Sequence, residues 1–480
     1  MMKYFVKALI LCLVLSLVLV GTTACTTKTV DKAGDTGSTT DSTKTGGTAD
    51  EDKGKEPEMK VDFGGRKITI AAWWDLKPPA PGTSASGDAL LERIADLEKK
   101  FNFKFDYFQT GWAEFPETFT ASVMAGDPIA EIAFVETRMF YPNFVTKGYL
   151  VPVDGLPGFD FTDEKWDRTS LNASMYNGRI YSVSTGRPEA RTGILFNKRI
   201  FKEEGLPDPY ELQATGQWTW EKVLEIAKKV TRDTNGDSEI DQWALAGNGL
   251  ELAFVYSNGG EWSKTIDGRE VFTMGEPEAL EGLQEYQRWL TVHKVIYTNP
   301  PDTPWNYYET IFQQGQIAML LGEAYMADNF RNAGMADEIG YVMFPKGPKS
   351  DDYVTYSGAH NFQVFVTGES EEFYEKLSIM WNEYTEPYPE DVVPRDAWKE
   401  TNINRFNDTE CLRTVEMMLD GRMKILKFDN FAGVNQTWWN SAWKLGQGET
   451  TPGQLIDEVK DPIQKIMDDI INQLKAESIQ

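Results

Sequence analysis

Short apolar runs and longer segments with helical spacing alternate along the first part of this 480-residue chain. The run Arg66–Trp74 predicts a buried strand. Asp88–Phe101, with apolar residues three and four positions apart and Asp88 as N-cap, predicts an amphipathic helix. A strand at Phe103–Phe108 and a helix at Glu114–Ala125 follow in the same order. Strands that alternate with helices predict an α/β fold with a parallel sheet.

The C-terminal half continues this pattern with longer helical segments. Apolar spacing predicts a helix at Glu278–His293 and, near the end of the chain, a pair of helices within Leu455–Leu474. Thr219 precedes a helix that extends to about Val230, and its side chain suits the N-cap position. Further predicted elements are a strand pair within Tyr353–Val366 and helices at Phe373–Thr385 and Cys411–Leu426.

The N-terminus has the pattern of a secretory signal peptide, which we place at residues 1–24. Lys3 and Lys7 precede the apolar run Ala8–Val20, which has the length of a signal-peptide core and is short for a membrane-spanning helix. The small residues after this run end at Cys25 and resemble a bacterial lipobox. The resemblance implies a lipoprotein with acyl chains such as palmitate on Cys25, and two acyl chains anchor a protein stably to a membrane.

Residues 25–60 predict a lipidated cysteine followed by a disordered tether. This segment is rich in Thr, Ser, Gly, Asp and Lys and poor in apolar residues, so it cannot bury a core. Cys12 leaves with the signal peptide and Cys25 carries the lipid, so Cys411 has no partner for an intramolecular disulfide. We therefore expect an extracellular protein that is anchored to the outer face of the bacterial cell membrane.

One stretch, Met175–Phe201, reads MYNGRIYSVSTGRPEARTGILFNKRIF. Its Asn177-Gly178 dipeptide lies between β-forming residues and predicts a hairpin turn. The stretch resembles a motif of extracellular solute-binding proteins, family 1, the maltose-binding-protein-like receptors of ABC sugar importers. The resemblance extends over most of the chain from about Gly65, and it includes Phe312–Tyr325 (FQQGQIAMLLGEAY) and Tyr341–Gly347 (YVMFPKG).

This resemblance implies an α/β, two-lobe periplasmic-binding-protein-like fold with hinge crossovers and a ligand cleft between the lobes. It also implies a receptor that binds a carbohydrate, in our interpretation an oligosaccharide, by lobe closure and delivers it to the transmembrane subunits of an ABC permease. The expected boundaries are 61–185 for the first part of lobe 1, 186–350 for the first part of lobe 2, 351–405 for the return to lobe 1, and 406–480 for C-terminal helices that pack mainly on lobe 2.

Side chains that follow predicted strands or lie in the family's motifs are the candidate ligand contacts. Ligands of open α/β sheets bind beyond the carboxyl ends of the strands, and the apolar face of a sugar packs on aromatic rings. The candidates are Trp73, Trp74, Asp75, Glu136, Arg138, Arg187, Glu189, Trp262, Trp305, Glu323, Tyr325, His360 and Trp438.

The charges near the expected cleft leave the class of sugar open. An acidic sugar such as a uronate would suit arginines, because Arg pairs with a carboxylate through two hydrogen bonds. Acidic side chains in the same stretches favour a neutral sugar. The arginines are Arg138, Arg187 and Arg191, and the acidic residues are Glu136, Glu189 and Glu323.

The segment Asp233–Gln242 (DTNGDSEIDQ) carries oxygen donors at every second residue. This spacing is typical of a loop that wraps oxygen ligands around one calcium ion, and it resembles the calcium loop of some family members. An Asx-rich turn without a metal is the alternative. The predicted ligands of one structural calcium ion are Asp233, Asn235, Asp237, Glu239, Asp241 and Gln242.

Composition and motifs limit the classes of function. The net charge of −26 argues against nucleic acid as a partner, and we expect a monomer. No zinc-protease, nucleophile-elbow or P-loop motif occurs, and the chain has only two His, so we expect a binding protein and not an enzyme. Two alternatives stay open: a secreted, lipid-anchored carbohydrate-active enzyme, since composition does not exclude an acid pair, and a ligand receptor for a membrane sensor kinase.

Overall fold

The structure is a computed structural model that describes residues 60–185, 190–267, 269–358, 360–393, 396–426 and 433–477. Its strands and helices form two α/β lobes, each built on a four-stranded sheet, as the sequence predicts. The expected signal peptide, Cys25 and nearly all of the tether lie outside the described residues, and so do Arg187 and Glu189. Among the described helices, none has the length and apolar character needed to cross a bilayer.

Three parallel strands and one antiparallel strand form the sheet of the first lobe. With strands numbered along the chain, the spatial order is β13 (Asn361–Phe365), β3 (Ile132–Glu136), β1 (Lys67–Ala72) and β2 (Lys104–Gln109). β1 is parallel to β2 and β3, and β13 is antiparallel to β3. The carboxyl ends of the three parallel strands therefore meet at one edge of the sheet, the edge at which α/β proteins bind ligands.

A sheet of mixed direction forms the second lobe. Its spatial order is β11 (Ile339–Val342), β6 (Thr192–Asn197), β10 (Ile317–Glu323) and β7 (Trp243–Gly247). β10 is parallel to β7 and antiparallel to β6. All six residues of β6 are buried, which is typical of a central strand that is covered on both faces.

Six short strands form three two-stranded sheets: β4 (Met175–Tyr176) with β5 (Arg179–Ile180), β8 (Ser263–Ile266) with β9 (Arg269–Phe272), and β12 (Thr355–Ser357) with β14 (Met423–Ile425). The β4–β5 hairpin confirms the turn predicted at Asn177-Gly178. Both turn residues have a positive φ, 49° and 73°, which Asn and Gly adopt more readily than other residues.

Helices flank both sheets. The first lobe contains α1 (Ala85–Phe101), α2 (Phe115–Met124), α3 (Thr137–Met139), α4 (Arg168–Ala173) and α12 (Glu371–Tyr384). The second lobe contains α5 (Lys198–Glu203), α6 (Pro209–Ala214), α7 (Trp220–Val230), α8 (Leu250–Ser257), α9 (Pro277–Thr291), α10 (Tyr307–Gln313), α11 (Met326–Asn332), α13 (Ala397–Phe406), α14 (Cys411–Met417), α15 (Val434–Gln447) and α16 (Pro452–Glu477). The helical path is interrupted by non-helical backbone at Tyr141 within Phe140–Phe144 and at Asp420 and Gly421 within Met418–Arg422.

Side-chain caps fix the starts of two of the predicted helices. Thr219 caps α7 as predicted, since its side chain accepts the backbone N–H of Lys222. α1 begins earlier than predicted, because the Ser84 hydroxyl accepts the N–H of Gly87 at 3.0 Å. Asp88 therefore lies in the first turn of the helix, where a negative charge suits the helix dipole.

Two C-terminal elements differ from the prediction. The helix predicted at 411–426 is regular only to Met417, because Gly421, with a φ of 91°, turns the chain into β14. The helix pair predicted within 455–474 is the single helix α16, which continues through Pro462. Pro462 is exposed, so water can solvate the carbonyl that loses its hydrogen bond there.

Hydrogen bonds on either side of the crossovers show which lobe each segment belongs to. The Val183 N–H donates to the Gln363 carbonyl at 2.9 Å, so the chain is still in the first lobe at Val183. The Thr355 hydroxyl donates to the carbonyl of Thr192 at 2.6 Å, so β12 still belongs to the second lobe. The return to the first lobe therefore begins between β12 and β13, later than the expected residue 351.

The last crossover comes earlier than the expected residue 405. α12 packs in the first lobe, where Arg93 on α1 donates to the Tyr384 carbonyl at 3.0 Å. α13 belongs to the second lobe, because the Phe406 ring stacks on Tyr341 at 5.0 Å between centroids. The C-terminal helices pack on the second lobe, where Arg269 on β9 pairs with Asp468 on α16.

Candidate functional site

Glu136 and Glu323 have corresponding positions in the two lobes. Each is the last residue of a strand, and each pairs in register with the first residue of a strand that follows a crossover. The partner of Glu136 is Asn361, and the partner of Glu323 is Thr192. Because the crossovers join the lobes at these two sheet edges, we expect a ligand to bind beside Glu136 and Glu323.

Glu136 is the centre of a cluster of three side chains in the first lobe. It is only 3% exposed, and each of its oxygens already accepts from a protein donor. Oε2 accepts the indole N–H of Trp112 at 2.8 Å, and Oε1 accepts Nε of Arg138 at 3.0 Å. The Arg138 guanidinium lies 5.7 Å from the centre of the Trp112 ring, within cation–π range. We therefore revise the predicted role of Glu136 from ligand contact to support of its two neighbours.

Trp112 was not among the residues that the sequence predicts for the site. It lies in the turn between β2 and α2, and it is 49% exposed. Neither helix nor strand periodicity marks a turn residue, and no motif of the resembled family was matched there. The one usable signal is its position three residues after the end of β2, at the edge of the sheet that also carries Glu136.

Arg191 and Glu323 form the matching ion pair of the second lobe. Nη1 of Arg191 lies 2.8 Å from Oε2 of Glu323, and both side chains are largely buried. In addition, the Tyr341 hydroxyl donates to the Arg191 carbonyl and holds the start of β6. The predicted candidates Glu323 and Arg138 therefore each neutralise a partner of opposite charge at the edge of their own sheet.

β1 ends at Ala72, two residues before the predicted end, so Trp73 and Trp74 directly follow the strand, and both are partly exposed. Their rings meet edge to face at 4.7 Å. Trp73 also packs on Phe115 at 5.7 Å, and Trp74 packs on Phe134 at 5.4 Å, so protein contacts hold both rings. Asp75 is exposed and accepts the Lys77 N–H at 3.0 Å. All three remain predicted contacts at the ligand edge of the first lobe.

Tyr325 and Trp305 are the exposed aromatic candidates of the second lobe. Tyr325 directly follows β10 and Glu323, and it is 39% exposed. Trp305 precedes α10 and is 71% exposed, and its carbonyl accepts Nδ2 of Asn299 at 2.7 Å. The hydroxyl of Tyr308, on the first turn of α10, lies by the backbone of Asn248 just beyond β7. Trp305 and Tyr325 therefore lie near the carboxyl ends of β7 and β10.

Trp262 and Trp438 are core residues of the second lobe. Their rings meet at 4.9 Å, Phe272 packs on Trp262 at 5.3 Å, and both tryptophans are buried. Trp438 adjoins the carboxyl group of Glu251, and burial raises the pKa of Glu251 to about 7. A buried ring offers no face to a ligand, so we revise the role of both tryptophans from ligand contact to packing.

His360 is buried at the crossover into β13. Its Nε2 lies 2.6 Å from the Ser170 hydroxyl, and its backbone carbonyl accepts the Thr137 N–H at 2.8 Å. Burial, together with the charge of Arg191, lowers the pKa of His360 to about 4, so the ring is neutral at pH 7. These contacts tie the crossover to α3 and α4, and we revise the role of His360 from ligand contact to support of the hinge.

The predicted calcium loop folds its oxygen atoms onto its own backbone. Asp233 accepts the N–H groups of Asn235, Gly236 and Ser238, and Asp241 accepts from Thr234 and Asn235. Gln242 is buried and donates to the Val230 carbonyl at 3.0 Å, so its amide group points away from the loop.

Metal binding at this loop is not supported by a converging ligand set. Within the described parts of the chain, no group of three or more His, Cys, Asp or Glu side chains is placed to hold a metal ion. The hydrogen bonds of Asp233 and Asp241 are typical of an Asx-rich turn, which is the alternative interpretation of the sequence. A bound ion would have to replace several of them, and calcium binding stays a prediction.

Comparison with known families gives one match that covers most of the chain. The family described as bacterial extracellular solute-binding protein matches residues 33–372. This match includes all three predicted motifs, the Glu136 cluster and the Arg191–Glu323 pair.

Solved structures of related shape bind several kinds of ligand. A cyclic alpha-maltosyl-1,6-maltose binding protein from Arthrobacter globiformis has a TM-score of 0.63 and 17% identity, over 85% of this chain and 100% of that one. An ABC substrate-binding protein from Listeria monocytogenes in complex with cycloalternan has a TM-score of 0.57 and 20% identity, over 84% and 99%. UgpB from Mycobacterium tuberculosis in complex with glycerophosphocholine has a TM-score of 0.59 and 16% identity, over 85% and 98%. At these identities the likeness shows a shared fold.

Proposed function

The chain belongs to the bacterial extracellular solute-binding protein family, and we propose that it is the carbohydrate receptor of an ABC importer. The observation that carries this proposal is the set of partly exposed aromatic rings beside the two crossovers. A ring face packs well against the C–H groups of a sugar. The cycloalternan bound to the Listeria neighbour supports a carbohydrate ligand. The rings are Trp73, Trp74 and Trp112 in the first lobe and Trp305 and Tyr325 in the second.

A neutral sugar fits the charges at the site better than an acidic one. Arg138 pairs with Glu136 at 2.9 Å, and Arg191 pairs with Glu323 at 2.8 Å, so each arginine already has a carboxylate. An anionic ligand would have to compete with these carboxylates inside a partly buried site, where an unpaired charge is costly. The hydroxyl groups of a neutral sugar can instead bond to the remaining donors and acceptors without separating either pair.

Binding by lobe closure follows from the two-lobe architecture. A ligand that touches both lobes interacts more strongly with the closed arrangement than with the open one, and it therefore shifts the population toward closure. Closure bends the crossovers, which are short chain segments beside the strand ends. His360 and its bonds to Ser170 and Thr137 hold one crossover on the first lobe, so bending falls on the residues next to it.

We propose that the mature protein works at the outer face of the cell membrane. The predicted lipid on Cys25 and the tether to residue 60 would keep the receptor near its permease, and the closed form would dock on the permease's transmembrane subunits. The solute-binding family supports an extracellular location and a transport partner. Mass spectrometry of the membrane fraction would detect the acyl chains on Cys25, and a soluble, unmodified chain would contradict the anchor.

A thermal-shift screen of the full mature chain tests the proposed function. The panel contains maltotriose, maltotetraose, a cyclic glucan, an oligogalacturonide and glycerophosphocholine, and each incubation is also analysed by chromatography. We expect a rise in melting temperature with at least one neutral sugar, since a ligand stabilises the state it binds, and no product. A product would favour the carbohydrate-active enzyme. A melting-temperature shift with glycerophosphocholine alone would contradict a carbohydrate receptor, and so would the absence of a shift with every compound of the panel.

A further inference from the structure

Trp112 combines exposure with a fixed position, which is unusual for a surface tryptophan. Half of its surface is open, yet its indole N–H is bonded to a carboxylate that is only 3% exposed and lies 24 residues away in β3. Trp443, which is exposed to a similar degree at 52%, bonds to the Asn440 carbonyl of its own helix. An apolar ring that the fold holds in water is prepared to bury its face against a ligand.

The position of Trp112 puts this ring at the ligand edge of the first lobe. The turn that carries it follows β2, and the Thr110 N–H next to that turn donates to the Ala72 carbonyl at the end of β1 at 3.4 Å. Glu136 ends β3 at the same edge. The ends of all three parallel strands therefore converge on the Trp112 turn.

The geometry points to Trp112 as a stacking platform for one pyranose ring of the ligand, with Glu136 and Arg138 as its positioning residues. The Arg138 guanidinium lies over one face of the indole, so the sugar takes the opposite face. Glu136 fixes the rotation of the indole through its N–H and neutralises Arg138, so the platform is held without a net charge. This inference rests on the proposed function, because it assigns a residue of the same cleft.

The platform selects for ligand shape more than for individual hydroxyl groups. A tryptophan face matches the flat C–H face of a glucose-type ring, and a fixed side chain loses little conformational entropy on binding. Glycerophosphocholine has no such face. The ligand class is therefore a sugar with at least one ring that presents an apolar face.

Calorimetric titration of the full mature chain with the best-binding neutral oligosaccharide of the panel tests the platform. The variants are Trp112→Ala, Trp112→Phe, Glu136→Gln and Glu136→Ala, with Trp443→Ala as the matched control at an exposed tryptophan of the second lobe. We expect Trp112→Ala to raise Kd about tenfold or more, as the loss of one aromatic contact of about 1.4 kcal/mol would do. Trp112→Phe keeps an apolar ring and should lose less, and the control should keep the wild-type Kd.

A spectroscopic readout separates positioning by Glu136 from a general loss of stability. In protein labelled with 5-fluorotryptophan, Trp112→Phe identifies the fluorine signal of Trp112 by its disappearance. Ligand should shift this signal in the wild type. Glu136→Ala should move and broaden it even without ligand, while Glu136→Gln, which keeps an oxygen acceptor for the indole, should largely restore it.

Each outcome decides the inference. The inference is supported if the wild type binds a sugar, Trp112→Ala binds the same sugar more weakly, and the ligand-free variant melts at the same temperature as the wild type. A bound sugar with an unchanged Kd in that variant overturns the platform and leaves the proposed function standing. If no sugar binds the wild type, the proposed function fails, and the platform fails with it.

Discussion

Glu136 and Glu323 end corresponding strands of the two lobes, and each holds an arginine at a strand end beside a crossover. The Glu136–Arg138 distance is 2.9 Å, and the Arg191–Glu323 distance is 2.8 Å. Carboxylates at the ends of strands are common in α/β ligand sites, but here both are engaged by cations of the same lobe. The site therefore has two internal ion pairs, and this arrangement directs the predictions about its ligand.

Removing the negative charge of Glu323 should raise the preference of the site for an acidic sugar over a neutral one. In Glu323→Gln, Arg191 loses its carboxylate and can pair with a carboxylate of the ligand instead. We expect the ratio of affinities for an oligogalacturonide over a neutral oligosaccharide to rise about tenfold or more. Glu276→Gln is the control, because Glu276 pairs with Lys264 at 2.5 Å elsewhere in the second lobe. An unchanged ratio in Glu323→Gln would place the Arg191 pair outside the ligand site.

His360 should make the protein less stable as the pH falls from 6.5 to 4. Burial lowers the pKa of His360 to about 4, from an ordinary value of 6.5. The stability that its neutral ring contributes is present above pH 6.5 and is lost as the pH falls through about 4, because the unfolded chain binds the proton more readily. Relative to His360→Gln, the wild type should lose on the order of 3 kcal/mol of unfolding free energy across this window. Urea titrations at pH 7 and pH 4 measure this, and equal losses in both proteins would contradict it.

Glu251 should have the opposite pH dependence. Burial raises the pKa of this carboxyl group to about 7, from an ordinary value of 4.5. Its contribution to stability is fully present below pH 4.5 and is lost as the pH rises through about 7, since only the unfolded chain releases the proton easily. Between pH 4.5 and 8, the unfolding free energy of Glu251→Gln should therefore rise by on the order of 3 kcal/mol relative to that of the wild type.

Urea titrations at these two pH values measure the gain, with Glu221→Gln as the control. Glu221 is exposed in the first turn of α7, so its replacement should leave the pH dependence unchanged. A difference between Glu251→Gln and the wild type that stays constant with pH would show that Glu251 ionises normally.

Calcium at the Asp233–Gln242 loop is tested by its removal. If the loop binds one ion, calorimetry will detect uptake of one calcium ion per chain, and chelation will lower the melting temperature. Asp237→Asn together with Asp241→Asn should abolish both effects, because each substitution removes a negative charge from the predicted ligand set. No uptake and no change with chelator would leave the Asx-rich turn as the correct interpretation.

The sequence predicts the fold well because its strongest signals are local. The β4–β5 hairpin follows from the Asn177-Gly178 turn, and the cap of α7 follows from the Thr219 side chain. The carboxylates at the strand ends are also predicted, because the end of an apolar run is visible in the sequence. Pattern alone does not show where the helix from Cys411 ends, since Gly421 interrupts a run that otherwise keeps its apolar spacing.

The roles of individual aromatic residues could not be predicted in this way. Trp262, Trp438 and Trp112 carry the same side chain, but the first two pack edge to face in the core and the third lies in an exposed turn. Burial depends on contacts between residues far apart in sequence, such as the one between Trp262 and Trp438, and the position of the Trp112 ring depends on its bond to Glu136. The role of His360 likewise depends on Ser170, which lies 190 residues away in the chain.

Calorimetric titration of the mature chain with a neutral oligosaccharide and with its uronate counterpart tests the central claim most directly. The account predicts saturable binding of one neutral oligosaccharide per chain, much weaker binding of the uronate, and no reaction product. Tighter binding of the uronate, or no binding of any sugar, would contradict a receptor whose cleft holds its arginines in internal ion pairs.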